Sequence, residues 1–463
     1  MIHADFIWEF RPTSGNNNNG GGFKEGATGT DYSRQASPQY VYTDIVIDAT
    51  DNTKITSAAN PFGADTVGNI INVTGGSGFT VGRYEIVSVA ANIVTLDRAV
   101  GTISSTGGTG NLGGALDSVT DSWMDNDYRA DGSGVNRIYV KNTGTMTVSG
   151  NITSANKQGT DARQCLFEGY NTARGDAPTG NNRPLIDLGA NSWDFDTNCQ
   201  RWSINHLRFT SSSTNAMATA NASIVRNCKF SSTGGSGKYA VLSGGNFTTP
   251  QSGVLFIDCE VTNPGGTGFG LATQSYVGGM TILIGCWVHD CSVGIARQGS
   301  NFQTAYMTDC IIQNCSNSGL SGTSITYKIV KNCTFYGAQT PAGTAISLSA
   351  APVGCIWINN IFYGWSFALG LGAGTQALYA DYNDFFNNTT DRLNATAGPH
   401  DTALDPQFTA AGSNNFSVGT NMKGIGAPSL VAGSGTTSYV DLGAAQRQEV
   451  GGGGGGGSMR IAI

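Results

Sequence analysis

The chain has 463 residues, with 25 Lys and Arg against 32 Asp and Glu, a net charge of −7 and a pI near 5.1. No apolar run is long enough to span a membrane, and an acidic chain without a basic patch is not built for nucleic acid. Sixty-six glycines, with few of the Lys and Glu residues that favour helices, point to an all-β, turn-rich protein.

The opening stretch, "MIHADFIWEFRPTSG", lacks the basic start and apolar core of a signal peptide. Without a route to an oxidising compartment, the ten cysteines are expected to be free thiols. A loose polar stretch, "GNNNNGGG", follows. Then come "YTDIVIDA", "GNIINVTGG", "GRYEIVSVA" and "NIVTLDRAV", whose alternation predicts a small antiparallel β-domain with hairpin turns. "STGGTGNLGGAL" closes it, so residues 1–118 form the first expected domain.

From about residue 119 to 400 the chain repeats itself. "GCWVHDCSVGIA" and "DCIIQNCSNSGL" share a spacing, and their first cysteines, Cys286 and Cys310, lie 24 residues apart. The same anchor recurs as Cys228, Cys259, Cys333, Asn360 and Asn383, with Leu207 before them and Cys165 as a candidate earlier member. Two places after the anchor stand Phe230, Val261, Val288, Ile312, Phe335, Phe362 and Phe385. Four places before it stand Ile224, Leu255, Ile282, Tyr306, Ile329, Ile356 and Tyr379. Apolar anchor and +2 columns around a mixed +1 column give the period of two of a half-buried strand. A repeat of this length, punctuated by Asn and Gly, predicts a solenoid whose coils stack like residue on like residue. Cys228, Cys259, Cys286, Cys310, Cys333, Asn360 and Asn383 are then one inward structural ladder, and Cys291 and Cys315 begin a second. The pairs are spaced by five, not as CxxC, and only His289 is near, so no metal site and no cofactor are expected.

Stacking also brings distant acids together. Asp258, Glu260, Asp290 and Asp309 are the candidate catalytic carboxylates, read against the simpler alternative of turn or outer-face residues; Asp381 and Asp384 form another group. Tyr336, Tyr363 and Phe386 share the +3 column, where they would bind sugar rings or pack as an interface. From Asp405 the repeat breaks, and residues 401–463 are a closing segment with a run of seven glycines and the tail "SMRIAI". Met459, Ile461 and Ile463 are read either as part of a disordered terminus or as a tethered assembly strand, and on the second reading deletion of residues 451–463 is expected to weaken assembly.

"NCTFYG", "NNIFYG" and "DYNDFFNN", together with "FEGYNTARGDAPTGNNRPLID" and "DPQFTAAGSNNFSVGTNMKGIGAP", resemble the right-handed parallel β-helix, or pectate-lyase-like, superfamily. The order of a small β-domain, a β-helix and a Gly-rich C-terminus resembles phage tailspikes and other virion structural proteins. The resemblance implies a structural virion protein: a tail fibre, spike or surface decoration, found on the virion or outside the cell and needing no signal peptide. Its residues 1–118 would attach it. It would form a homotrimer or larger assembly, meet other virion proteins and bind surface polysaccharide. The same fold also serves extracellular polysaccharide lyases, glycoside hydrolases and bacterial surface adhesins or filament subunits, which stand as the alternatives.

Overall fold

The computed structural model describes residues 5–126, 137–153, 164–194, 201–212, 217–219, 223–235, 237–243, 253–264, 268–274, 280–298, 304–322, 327–337, 343–374, 377–422, 424–427 and 441–444. They fall into two compact units, Met1–Phe209 and Thr210–Ile463.

In the first unit, six strands close an antiparallel barrel: Tyr40–Ile47, Lys54–Thr56, Ile93–Leu96, Gly82–Ala90, Ile70–Gly75 and Gly108–Leu112. Its core is Tyr42, Ile45, Ile71, Val73, Tyr84, Ile86 and their neighbours. The last strand lies inside the stretch read from sequence as mere closure. Its buried positions are Gly108, Gly110 and Leu112, and a side chain at Gly108 would lie 2.4 Å from the Phe79 ring. Glycine is needed there for close approach, which hides the strand from a pattern search.

The opening stretch is not loose. Phe6–Phe10 pairs antiparallel with Gly22–Lys24 and parallel with Arg137–Lys141, so it forms a rung beside the first coil strand. The asparagines between them are anchored: Asn19 Nδ2 donates to Ala115 O (2.8 Å), and Asn72 Nδ2 donates to Asn18 O (2.8 Å). Cys165 pairs in register with Trp202, five residues before Leu207, so it lies outside the anchor column.

The second unit is a parallel β-helix. Each coil runs through three strands, and like strands stack into three parallel sheets. The first sheet holds Ile224–Arg226, Val254–Ile257, Met280–Ile284, Thr304–Thr308, Tyr327–Lys331, Val353–Ile358 and Ala377–Asp381. The second runs from Lys229–Ser232 to Asp384–Phe386, and the third from Met217–Thr219 to Thr390–Leu393. The interior is filled from all three sheets, for example by Phe256, Leu283 and Trp357, by Phe335, Phe362 and Phe385, and by Leu271 and Ile295. Phe335, Phe362 and Phe385 stack with ring centroids 4.9 and 5.0 Å apart, close to the strand spacing itself.

The corner between first and second sheets explains the anchor. Asn227, Asp258, Gly285, Asp309, Asn332, Asn359 and Tyr382 all have positive φ, and each stands immediately before an anchor residue. Asn, Asp and Gly adopt this left-handed conformation at least cost. Gly285 has a second reason, because a Cβ there would sit 2.4 Å from Asp258 Oδ1. After six of these seven turns the anchor side chain donates back to the carbonyl two residues earlier, and at the seventh Asn360 Nδ2 donates to Val330 O instead. Cys259 Sγ reaches Ile257 O (3.3 Å), Cys310 Sγ Thr308 O (3.2 Å), Cys333 Sγ Lys331 O (3.2 Å), and Asn383 Nδ2 Asp381 O (3.1 Å). Cysteine and asparagine share one column because both are small donors for a buried carbonyl. The nine described cysteines are all free and buried. Burial raises the thiols of Cys259, Cys286 and Cys310 well above their ordinary range and that of Cys291 to about 12, which makes them poor nucleophiles.

Candidate functional site

The outer face of the second sheet carries the charged file closest to a catalytic arrangement. Glu260 pairs in register with Lys229 on one side and Trp287 on the other. Lys229 Nζ lies 2.6 Å from Glu260 Oε1. His289 Nε2 lies 3.3 Å from the same oxygen, and its Nδ1 lies 2.7 Å from Asp290 Oδ2. The Trp287 ring stacks on His289 at 3.8 Å. Burial pushes the Glu260 carboxyl up, but the bonds from His289 and Lys229 outweigh it and hold the group at about 2. Glu260 is therefore an ionised acceptor at neutral pH. Both imidazole nitrogens of His289 are engaged, so taking a proton from a substrate requires breaking one of these contacts.

The other candidate carboxylates stand at corners. Asp258 and Asp309 belong to the left-handed turn column, two rungs apart with Gly285 between them, and they are not brought together. Asp309 Oδ1 accepts from Asn332 Nδ2 (3.0 Å), whose own Oδ1 accepts from Asn359 Nδ2 (3.2 Å). Asp309 thus begins a side-chain ladder that ties successive corners. Asp258 is half-buried; burial raises its pKa, and Arg226 pulls it down. Asp290 starts the matching tie at the next corner, accepting from Asn314 Nδ2 (3.2 Å).

The aromatic column lies under the chain's own closing segment. Tyr336 and Tyr363 stack at 5.1 Å, and Phe408 and Phe416 lie edge-on to Tyr336 at 6.0 and 5.4 Å. Further along, Val418, Met422 and Leu442 pack on Ile361, and Phe416 and Ala444 lie against Trp287 and Ile311. Ala444 N donates to Thr334 Oγ1 (3.0 Å) and Gly443 N to Asn359 O (3.0 Å). Two of the three residues read as sugar-stacking or interface positions therefore form an interface within the chain; Phe386 is partly exposed at its end.

Asp381 and Asp384 pin the return of the chain. Asp381 accepts from His400 N (2.8 Å) and faces His400 Nδ1 (2.8 Å), while the rings of Tyr382 and His400 stack at 4.4 Å. Asp384 is fully buried, and its Oδ1 accepts from Thr402 Oγ1 (2.7 Å) and Leu404 N (2.8 Å). Burial raises the Asp384 carboxyl to about 6. A raised carboxyl favours folding while it is protonated, so its contribution is largest below the unfolded value and is lost as pH rises through about 6. Asp384→Asn is expected to gain about 1.5 kcal/mol over the parent between pH 5 and 7.5, because it removes that penalty. Urea unfolding followed by tryptophan fluorescence at the two pH values checks this. Parallel pH profiles for variant and parent would contradict it.

What sequence reasoning did not separate is the direction of the −4 column. Ile224, Leu255, Ile282, Tyr306 and Ile329 are only partly buried, and Ile356 and Tyr379 are 41% and 55% exposed; their strand neighbours Val225, Phe256, Leu283, Met307, Val330 and Trp357 fill the core. Met459, Ile461 and Ile463 lie outside the described residues. Among the described residues no helix is long and apolar enough to cross a membrane, and no group of three or more His, Cys, Asp or Glu is placed to hold a metal ion.

Residues 218–402 match the family described as right handed beta helix region. No curated protein matches the chain by sequence. Among solved structures the chain is similar to a pectate lyase, at 13% identity over 72% of this chain and 92% of that one, with a TM-score of 0.38. It is also similar to an alginate lyase from Paenibacillus sp., at 10% identity over 61% and 96%, with a TM-score of 0.36. A third is ORF18 of Geobacillus virus E2, at 14% identity over 59% of this chain and 58% of that chain, with a TM-score of 0.28.

Proposed function

We propose, for a chain built around a right-handed parallel β-helix, a structural role: a fibre, spike or surface decoration of a phage-like particle that associates with further copies of itself. The observation that carries this reading is the closing segment. It lies on the outer face of the second sheet and turns the aromatic column from a sugar-stacking platform into a packed layer. The carboxylates support the same reading. Asp258, Asp290 and Asp309 are turn residues, and Glu260 Oε1 is engaged by Lys229 and His289.

The second reading is a polysaccharide lyase or glycoside hydrolase, and it is favoured by one feature, the file of Lys229, Glu260, His289 and Asp290. Incubating the full-length chain with pectate, alginate and neutral glucans, and measuring new reducing ends, separates the two. The structural reading predicts no release above that of a Glu260→Gln/His289→Ala control. Release by the parent that vanishes in the control would overturn it.

A further inference from the structure

Among the described residues the closing segment packs on the second sheet of the second unit, whereas the first sheet presents an apolar column on an outer face, where polar residues normally stand. In the first unit, Arg137–Lys141 buries Ile138 and Val140 and turns Arg137, Tyr139 and Lys141 outward, the expected alternation. In the second unit one of the outward columns is apolar as well as the inward one. Ile224 pairs with Leu255, Leu255 with Ile282, Ile282 with Tyr306, and the column continues in register through Ile356 to Tyr379. None of its seven members is charged, on a chain of net charge −7. The neighbouring outward column is mixed: Ile257, Ile284 and Ile358 alternate with Thr308 and the exposed cations Arg226 and Lys331, and it ends on the buried Asp381.

We infer that this face is the docking surface for a second copy of the same chain. The inference rests on the self-associating reading above and names its surface. Three arguments select a copy. The stripe spans six rung intervals of about 4.8 Å, roughly 29 Å, and two columns make it about 12 Å wide. That footprint of about 350 Å², apolar along one column and mixed along the other, is near half of the ~800 Å² per partner of a standard interface, leaving the remainder to a polar rim. Secondly, ridges repeating at strand spacing mesh with ridges of the same spacing, as packed sheets do, and a second copy supplies them. Thirdly, acidic chains repel each other over most of their surface, and a face whose exposed charges are the cations Arg226 and Lys331 is where that repulsion is weakest.

The test compares molar masses by light scattering for the full-length parent, Ile282→Asp/Ile356→Asp and Tyr379→Arg, each checked for parental circular dichroism. All three positions point outward, so no core cavity is made, and Tyr379→Arg changes the most exposed rung. The inference predicts a parent mass that is a multiple of 48.0 kDa. Both variants should associate at least about tenfold more weakly. Folded variants that keep the parental mass overturn it. So does an assembly lost on deleting residues 451–463 but not on changing the face, since that places the contact on the tail. Polysaccharide release would count against the structural reading alone, whereas assembly that survives the face variants counts against this surface alone.

Discussion

Replacing Asn360 with alanine is expected to destabilise the second unit by about 3–5 kcal/mol, more than any exchange of a single ladder cysteine. Asn360 is fully buried and joins three rungs. Its Nδ2 donates to Val330 O (3.0 Å) and to Asn383 Oδ1 (3.0 Å), and its Oδ1 accepts from Cys333 N (2.9 Å). Alanine leaves that amide N–H and that carbonyl without these partners in a buried core, at about 1–3 kcal/mol each, and adds a cavity. Cys310→Ala removes only a thiol that donates weakly to Thr308 O (3.2 Å) and should cost about 1–2 kcal/mol. Asn360→Cys should recover part of the loss, since the same slot accepts a thiol elsewhere in the column. Urea midpoints for the three variants decide the matter, and equal losses for Asn360→Ala and Cys310→Ala would show that the amide ladder has no special weight.

Arg174→Ala is expected to cost the first unit a similar 3–5 kcal/mol, by leaving a buried carboxylate short of its main partner. Glu9 is fully buried on the N-terminal rung. Arg174 reaches it with Nε at 2.9 Å and Nη2 at 2.7 Å, contacts Asp31 at 3.2 Å, and lies over the Tyr139 ring at 4.7 Å. Tyr170 OH and Arg11 Nε complete the cage around Glu9. One guanidinium therefore ties the opening strand to the loop before the barrel and to the first coils. Arg174→Lys keeps the charge but loses the fork, and should recover only part of the loss. The double change Glu9→Gln/Arg174→Ala should cost less than the sum of its parts, because the unpaired charge is gone. Additive melting losses would contradict a coupled pair.

The repeat was legible because stacking forces it. A column that must face the interior in every coil repeats in every coil, so the anchor and +2 positions declare themselves. The Asn and Gly punctuation of the repeat was legible for the same reason, since left-handed turns accept few residue types. Two things were not legible. The −4 column is as apolar as the true core, so composition alone cannot say that Ile282 points out while Leu283 points in; strand alternation counted from the corner does. The surface on which the closing segment packs was also hidden, because Phe408 and Phe416 meet Tyr336 only after the chain folds back, and no local spacing reports that. Asp258 and Asp309 looked like candidate acids because their column was visible, but the backbone at those positions was not. Their positive φ is the reason those side chains are there.

The most direct test of the account is the solution mass of the parent chain, measured by light scattering over a hundredfold range of concentration. A structural, self-associating β-helix predicts a discrete multiple of 48.0 kDa, or a mass that climbs with concentration. A value of 48.0 kDa at every concentration would contradict it.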